Sequence, residues 1–173
     1  MHPELPIECR CWHRHERFQL AFARQAMEVL PRREDTAFAA GARGLTLLAE
    51  TEMALERPLR VLREVYGNAL GIDPPAIRYR HGAEIEEPHM GLRVLCAPQY
   101  FDAVRRDLYL RTASIMDAEV NRSFGIVRAT GPQVALFGFP DRLIQLTQGQ
   151  GKLVMWLSHY APVQEPPPGG SAA

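Results

Sequence analysis

The chain has 173 residues, of which 46% are hydrophobic, and its 20 basic and 20 acidic residues cancel to a formal net charge of zero at pH 7. This composition excludes a disordered chain, and the charge balance excludes a globally basic nucleic-acid-binding protein while leaving a local basic patch open. Three cysteines are too few, and odd in number, for a secreted disulfide framework. No apolar run approaches the roughly 20 residues of a membrane span. We therefore expect a cytoplasmic protein without a membrane partner.

The first half of the chain indicates strands and helices in the order βαββαβ. The stretch "IECRCW" places Ile7, Cys9 and Cys11 on one face of a short strand, and apolar residues from Phe18 to Leu30 follow at helical spacing. Two apolar runs, "DTAFAA" and "LTLLAE", flank the turn "GARG" and predict a β-hairpin. A second helix, "TEMALERPLRVLREVYG", precedes a predicted strand, "PAIRYR".

The second half repeats this order. It contains strand "MGLRVLCAP", helix "QYFDAVRRDLYLR", hairpin "SIMDAEVNRSFGIVRAT", the helical stretch "PQVALFGFPDRLIQLT" and strand "KLVMWLSHY". The order βαββαβ is that of the ferredoxin-like fold, in which two helices cover one face of an antiparallel sheet. We therefore predict an α+β protein with two ferredoxin-like domains in tandem, at residues 5–81 and 86–163. The Pro- and Gly-rich end, residues 164–173, is predicted to be a disordered tail.

Several blocks of the second half resemble the C-terminal, fifth domain of bacterial elongation factor G and related translational GTPases. "EPHM" is similar to the family's Glu-Pro-Ile-Met opening, and "APQYFDAVRRDL" to its Pro-Glu-Glu-Tyr helix start. "LFGFPDRLIQLTQGQGKLVMWLSHY" is similar to its Phe-Gly-Tyr, Leu-Thr-Gln-Gly-Arg-Gly and Asp-His-Tyr segments. The order of these blocks makes the resemblance specific.

The first half resembles the third domain of the same family. "ETEMALERPLRVLREVYG" is similar to the family's Gly-Glu-Leu-His-Leu-Glu helix and the residues that follow it, and "IDPPAIRYR" is similar to its Gly-Pro-Pro-Gln-Val-Ala-Tyr-Arg strand. The residues at matching positions are Glu52, Leu55, Glu56, Pro75, Tyr79 and Arg80. A connector, "HGAEIE", stands where the family has its fourth domain.

The resemblance implies a role in translation, but the residues indicate no enzymatic activity. No Gly-x-x-x-x-Gly-Lys-Ser/Thr phosphate loop occurs in the sequence, and its only lysine is Lys152. We therefore expect the chain neither to bind nor to hydrolyse GTP and to need no cofactor. No Ser-His-Asp, Cys-His or paired-carboxylate set is recognisable either. The prediction is a non-enzymatic, ribosome-associated or RNA-contacting module.

The resemblance also implies an RNA-binding surface, because the fifth domain of elongation factor G contacts ribosomal RNA. Its phosphate contacts lie around the first helix and the Leu-Thr-Gln-Gly loop. The matching candidates here are Arg105, Arg106, Arg111, Gln148, Gly149 and Lys152. The alternative is a protein-interaction or regulatory module that has lost ribosome binding, with another translation factor or a second copy of the chain as its partner. Trp156 either packs within the protein or stacks on a base.

The stretch "CRCWHRH" adds a metal site as a weaker alternative. Cys9, Cys11, His13 and His15 occupy alternate positions of a predicted strand, and thiolates and imidazoles are the ligands that zinc and copper prefer. In a ferredoxin-like sheet, however, the two cysteines would point into the helix-packed core, where free cysteine behaves as a small hydrophobe. Cys96 recurs in the first strand of the second domain without histidines nearby, which favours core packing.

Overall fold

The computed structural model describes residues 5–164 of the chain. Apart from Gln164, the predicted tail at residues 164–173 lies outside this range. The helices and strands are, in chain order, β1 (Ile7–His13), α1 (Gln19–Val29), β2 (Thr36–Gly41), β3 (Gly44–Ala49), α2 (Glu52–Tyr66), β4 (Leu70–Ile72), β5 (Ala76–Ile77), β6 (Arg80–His81), β7 (Ile85–Cys96), α3 (Phe101–Leu110), β8 (Ser114–Val120), β9 (Gly125–Pro132), α4 (Gln133–Leu136), α5 (Phe139–Thr147) and β10 (Lys152–Pro162). They form two antiparallel sheets, and the predicted fold class, α+β with two ferredoxin-like units in tandem, is confirmed.

The first sheet has the strand order β2-β3-β1-β4, with β5 also paired to β1. Strand β1 lies at the centre, where Cys9 is opposite Leu47 and Cys11 is opposite Leu45. These four side chains are buried, because α1 and α2 cover that face of the sheet. Helix α2 begins after Thr51, whose hydroxyl accepts a hydrogen bond from the backbone N–H of Ala54, a typical N-cap.

The predicted strand "PAIRYR" is only partly correct. The fourth strand beside β1 is β4, and only Ala76 and Ile77 of the predicted segment extend the first sheet. Arg80 and His81 pair instead with the start of β7 and so belong to the second sheet. Two consecutive prolines, at 74 and 75, separate β4 from β5, because proline has no N–H to donate to a strand ladder. The first sheet therefore ends at Ile77, whereas the predicted domain extended to residue 81.

The second sheet has the strand order β10-β7-β9-β8, with β6 paired to β7. Alternate residues of β7, including Met90, Leu92 and Val94, are buried beneath the helices. The predicted helical stretch before β10 is divided into α4 and α5, because the backbone at Gly138 takes a left-handed conformation with φ of +79°. None of the helices in the described range has the length and apolar character needed to cross a membrane.

Two glutamates connect the first domain to the second. Both carboxylate oxygens of Glu52, in the first turn of α2, accept hydrogen bonds of 3.0 Å from the backbone N–H of Gly138. Glu50 accepts a 3.0 Å hydrogen bond from the N–H of Leu157, next to a bulge in β10. Met53 packs against the core of the second domain. The start of α2 thus forms a specific contact between the two units.

Candidate nucleic-acid interface

Helix α3 presents two arginines to solvent. Its inward residues, Phe101, Val104 and Leu108, are buried, and the helical period leaves Arg105 and Arg106 exposed. Within the described residues neither arginine forms an ion pair. Both line a groove of about 360 Å³ beside β8, together with Asp102, Tyr109 and Ile115. We call Arg105 and Arg106 the helix pair; its guanidinium groups can reach an anion from solvent.

Arg111, the third predicted cation of this region, is used within the protein. Its Nε donates to Oδ2 of Asp107 at 2.7 Å, and its Nη1 donates to the carbonyl oxygens of Ala135 at 3.2 Å and Phe137 at 3.0 Å. The guanidinium carbon also lies 5.6 Å from the ring centroid of Phe139. These contacts fix the end of α3 to the connection between α4 and α5. Arg111 therefore has a structural position, and it does not join the helix pair.

The loop between α5 and β10 is compact and exposed. Thr147 anchors it, because its hydroxyl donates to the carbonyl of Leu143 at 2.7 Å and accepts from the N–H of Gly151 at 2.9 Å. Gln148 and Gly149 follow with left-handed backbones, φ of +53° and +76°, and both are exposed. Both residues can therefore touch a ligand, but their N–H groups already donate to the carbonyl of Ile144.

Lys152 lies on the opposite side of the second sheet from the helix pair. Along β10, Leu153, Met155 and Leu157 pack into the core beneath the helices, so Lys152, Val154 and Trp156 face away from them. Helix α3 packs on the inner face, over β8 and β9. The sequence grouped Lys152 with Arg105 and Arg106, and the structure does not bring these three cations together.

The side of the sheet that the helices leave uncovered forms a second basic surface. It carries Arg93 of β7 beside Lys152, Val154 and Trp156 of β10, and we call these four residues the open face. Arg93 was not among the contact residues predicted from the sequence. The alternation in "MGLRVLC" could have indicated it, because the one charged residue of this strand lies on the opposite face from Met90, Leu92 and Val94.

The stretch "CRCWHRH" does not form a metal cage. Cys9 and Cys11 are 1% and 0% exposed, and the Sγ of Cys9 donates to the backbone carbonyl of Asp73 at 3.3 Å. A hydrogen bond between the two thiols, together with burial, raises the pKa of Cys11, and the same hydrogen bond lowers the pKa of Cys9, so thiolate formation is opposed at Cys11 only. The ring of His13 packs 5.7 Å from that of Phe22, and His15 is exposed. Among residues 5–164 no group of three or more His, Cys, Asp or Glu side chains is placed to hold a metal ion.

Replacing both Cys9 and Cys11 with valine is expected to change the free energy of unfolding by less than about 1.5 kcal/mol, because valine is a near-isosteric apolar substitute in a packed core. Urea denaturation measures this change. In parallel, the melting temperature of the wild type should be the same with zinc and with a chelator. A zinc-dependent melting temperature that disappears in the double variant would contradict the core assignment.

Comparison with known proteins concerns mainly the second domain. Residues 84–169 match the family model described as elongation factor G C-terminus. Elongation factor G 2 of Syntrophomonas wolfei subsp. wolfei is 34% identical to this chain over 79 residues, and elongation factor G of Aquifex pyrophilus is 35% identical over 79 residues. Each match covers 46% of this chain and 11% of the relative, so the chain spans a small part of the length of these relatives.

The fold likeness extends over both domains. A crystal structure of a protein from Thermus thermophilus superposes with a TM-score of 0.66 and covers 96% of this chain and 42% of that protein. The two sequences are 15% identical, so this likeness concerns the fold.

Proposed function

The second domain of this chain matches the C-terminus of elongation factor G over residues 84–169, and from this premise we propose that the protein is a translation-factor-like module that binds the RNA of the large ribosomal subunit. The observation that carries the proposal is the helix pair. Arg105 and Arg106 are exposed on α3, and within the described residues neither forms an ion pair with a carboxylate. Arginine binds phosphate in a bidentate manner, which suits such a contact.

The exposed loop after α5 supports the same proposal. Gln148 and Gly149 are exposed, and the lack of a side chain at Gly149 allows close approach of a phosphate group, which the Gln148 side chain could then contact because both backbone N–H groups already donate to Ile144. We place the loop and the helix pair in the RNA contact and omit Arg111, because its donors are occupied by Asp107 and by backbone carbonyls.

The proposed role involves no catalytic step by this chain. The phosphate-loop motif of the translational GTPases is absent from these 173 residues. We propose that the first domain corresponds to the third domain of elongation factor G and acts in the cytoplasm as a rigid support for the second. A fusion of third and fifth domains lacks the fourth domain, which in the family reaches the decoding site, so the proposed contact is with the large subunit.

Replacing Arg105 and Arg106 with alanine is expected to weaken binding to large ribosomal subunits and to flatten its salt dependence. Each lost phosphate contact removes about 0.9 from the slope of log K against log salt, so the double variant should lose nearly two units. Co-sedimentation of the purified chain with isolated large subunits and with 70S ribosomes, across a salt series, measures both effects. The substitution Gln150→Arg restores the arginine that the family has in this loop, and it should strengthen binding.

The matched control is the double variant Arg24→Ala, Arg57→Ala, which removes two exposed cations from the first domain. It should sediment like the wild type. If both double variants sediment equally, the helix pair is not the contact, and if the wild type does not sediment at low salt, the ribosomal role itself is refuted.

A protein-interaction module is the second candidate, and one apolar patch favours it. Tyr109, Leu110 and Met116 are 75%, 72% and 69% exposed at the end of α3 and on the edge strand β8. Exposed apolar patches and aromatic side chains mark protein contacts. If Tyr109→Ser with Met116→Ser abolishes sedimentation while the arginine variant does not, a ribosomal protein or another factor is the partner. Analytical ultracentrifugation of the same variants tests self-association.

A further inference from the structure

The open face of the second domain holds Trp156 in a fixed position. Trp156 is opposite Gly91 in the sheet, and three atoms of its ring lie 2.4–2.6 Å from the position that a Cβ would take at Gly91. The ring therefore rests on the backbone of β7, where only glycine leaves room for it. Trp156 is nonetheless 43% exposed. One side of the indole is packed and the rest meets solvent.

Two cations lie beside this ring. Arg93 is opposite Val154, two residues along β10 from Trp156, and Lys152 is opposite Leu95. Strand spacing places the Cα atoms of Arg93 and Trp156 about 8 Å apart. In the part of the chain that the structure describes, neither Arg93 nor Lys152 forms an ion pair. The next cation on this side, Arg128 opposite Arg93, is paired with Asp117, so the exposed ring is accompanied by two cations without ion pairs, Arg93 and Lys152.

We propose that the open face binds unpaired nucleotides of RNA, with a base stacked on Trp156 and neighbouring phosphates held by Arg93 and Lys152. Surfaces that bind single strands combine aromatic side chains for stacking with basic side chains along the backbone. Paired bases in an RNA helix do not offer a free face for such stacking. A protein partner fits less well, because the aliphatic side chains on this side of the sheet, Val154, Leu95 and Ile126, are interrupted by charged ones and form no continuous apolar centre.

This inference rests on the proposed function for its biological target, and it specifies which class of RNA structure is bound. The open face and the helix pair lie on opposite sides of the second sheet. They can therefore be tested separately, because variants of one leave the other intact.

Trp12, the other tryptophan of the chain, provides a matched control. It also lies over a glycine of a neighbouring strand, Gly71, where a Cβ would be 2.3 Å from its ring. Its indole N–H, however, donates to Oδ1 of Asp73 at 3.1 Å, and Asp73 also forms an ion pair with Arg10. The guanidinium carbon of Arg14 also lies over this ring, 5.5 Å from its centroid, and leaves no free face for a base, so Trp12 is not expected to bind nucleotides.

The test is the affinity of the full chain for a fluorescein-labelled single-stranded uridine hexanucleotide, measured by fluorescence anisotropy. Trp156→Leu should weaken binding by about tenfold or more, the effect of losing one stacked base. Trp156→Phe should retain most of the affinity, and Trp12→Leu should not change it. Arg93→Gln with Lys152→Gln should reduce the salt slope by about 1.4, since each single-strand phosphate contact contributes about 0.7.

A further measurement covers the case in which Trp156→Leu does not fold. In the Trp12→Phe variant Trp156 is the only tryptophan, and the hexanucleotide should quench its fluorescence with the same dissociation constant. The proposal is overturned if the wild type does not bind at low salt, if Trp156 is not quenched, or if a duplex of equal length binds as tightly.

The Arg105→Ala, Arg106→Ala variant separates this inference from the proposed function. It should bind the hexanucleotide like the wild type while losing large-subunit binding. Hexanucleotide binding without any sedimentation of the wild type would refute the ribosomal role and leave the open-face site standing. Sedimentation that depends on the helix pair, without hexanucleotide binding, would refute the open-face site alone.

Discussion

Replacing Gly44 with alanine is expected to destabilise the first domain by more than about 3 kcal/mol, a large part of the stability of a small domain. Gly44 has a φ of +118°, which L side chains rarely adopt, and an added Cβ would lie 2.3 Å from the carbonyl oxygen of Cys11. Strain at such a backbone position costs about 1–3 kcal/mol, and the clash adds to it. The clash is with the backbone of the central strand β1, so no side-chain rotation relieves it. Urea denaturation followed by circular dichroism measures the loss.

Gly41 supplies the control for this change within the same hairpin. Its φ is not positive, and an added Cβ would meet only the carbonyl oxygen of Gly44 at 3.8 Å, an ordinary contact. Gly41→Ala should therefore alter the free energy of unfolding by less than about 1 kcal/mol. Equal effects at the two positions would show that the hairpin does not approach Cys11 as described.

Most elements of the fold could be predicted from local patterns. The alternation of Ile7, Cys9 and Cys11 with more polar residues predicts strand β1, and two apolar runs around a glycine-bearing turn predict the hairpin β2–β3. The last strand of the first domain could not be predicted in the same way. Its pairing with β1 is long-range, and the segment Leu70–Ile72 is too short to show a period.

The exposure of a candidate residue could be predicted where the helical period determines it. It could not be predicted where it depends on contacts between segments that are distant in the sequence. Helical spacing alone places Arg105 and Arg106 on the outer side of α3. The structural role of Arg111 could not be predicted in this way, because it depends on hydrogen bonds to the carbonyls of Ala135 and Phe137, 24 and 26 residues away. For β10, alternation separates Trp156 from Met155, but only the packing of the helices decides which of the two faces solvent.

The contact between the domains depends on Glu52. The free energy of unfolding is expected to fall by different amounts when Glu52 is replaced by alanine and by glutamine. Glu52→Ala leaves the N–H of Gly138 without its acceptor in a partly buried interface, which should cost about 1–3 kcal/mol. Glu52→Gln retains a side-chain oxygen that can accept from the same N–H. Glu56→Gln, on an exposed position one turn along α2, is the matched control and should have little effect.

The pH dependence of stability separates the effect of the negative charge on Glu52 from the effect of its hydrogen bond to Gly138. Burial raises the pKa of Glu52; the N–H of Gly138 partly counteracts this shift, and Asp141 adds to it. In the folded protein Glu52 therefore keeps its proton to a higher pH than in the unfolded chain. Its contribution to stability is fully present below the ordinary pKa of a glutamate, and it is lost as the pH rises through the raised pKa of the folded state.

Glu52→Gln should consequently remove this decline. The difference in unfolding free energy between Glu52→Gln and the wild type should shift in favour of the variant as the pH rises above the ordinary pKa of a glutamate, because the amide stays neutral. Urea denaturation of wild type, Glu52→Gln and Glu56→Gln from pH 4 to pH 8 measures this difference. If Glu52→Gln instead loses stability relative to the wild type as the pH rises, the ionised carboxylate stabilises the contact, and attraction to the N-terminus of α5 outweighs the cost of burying the charge.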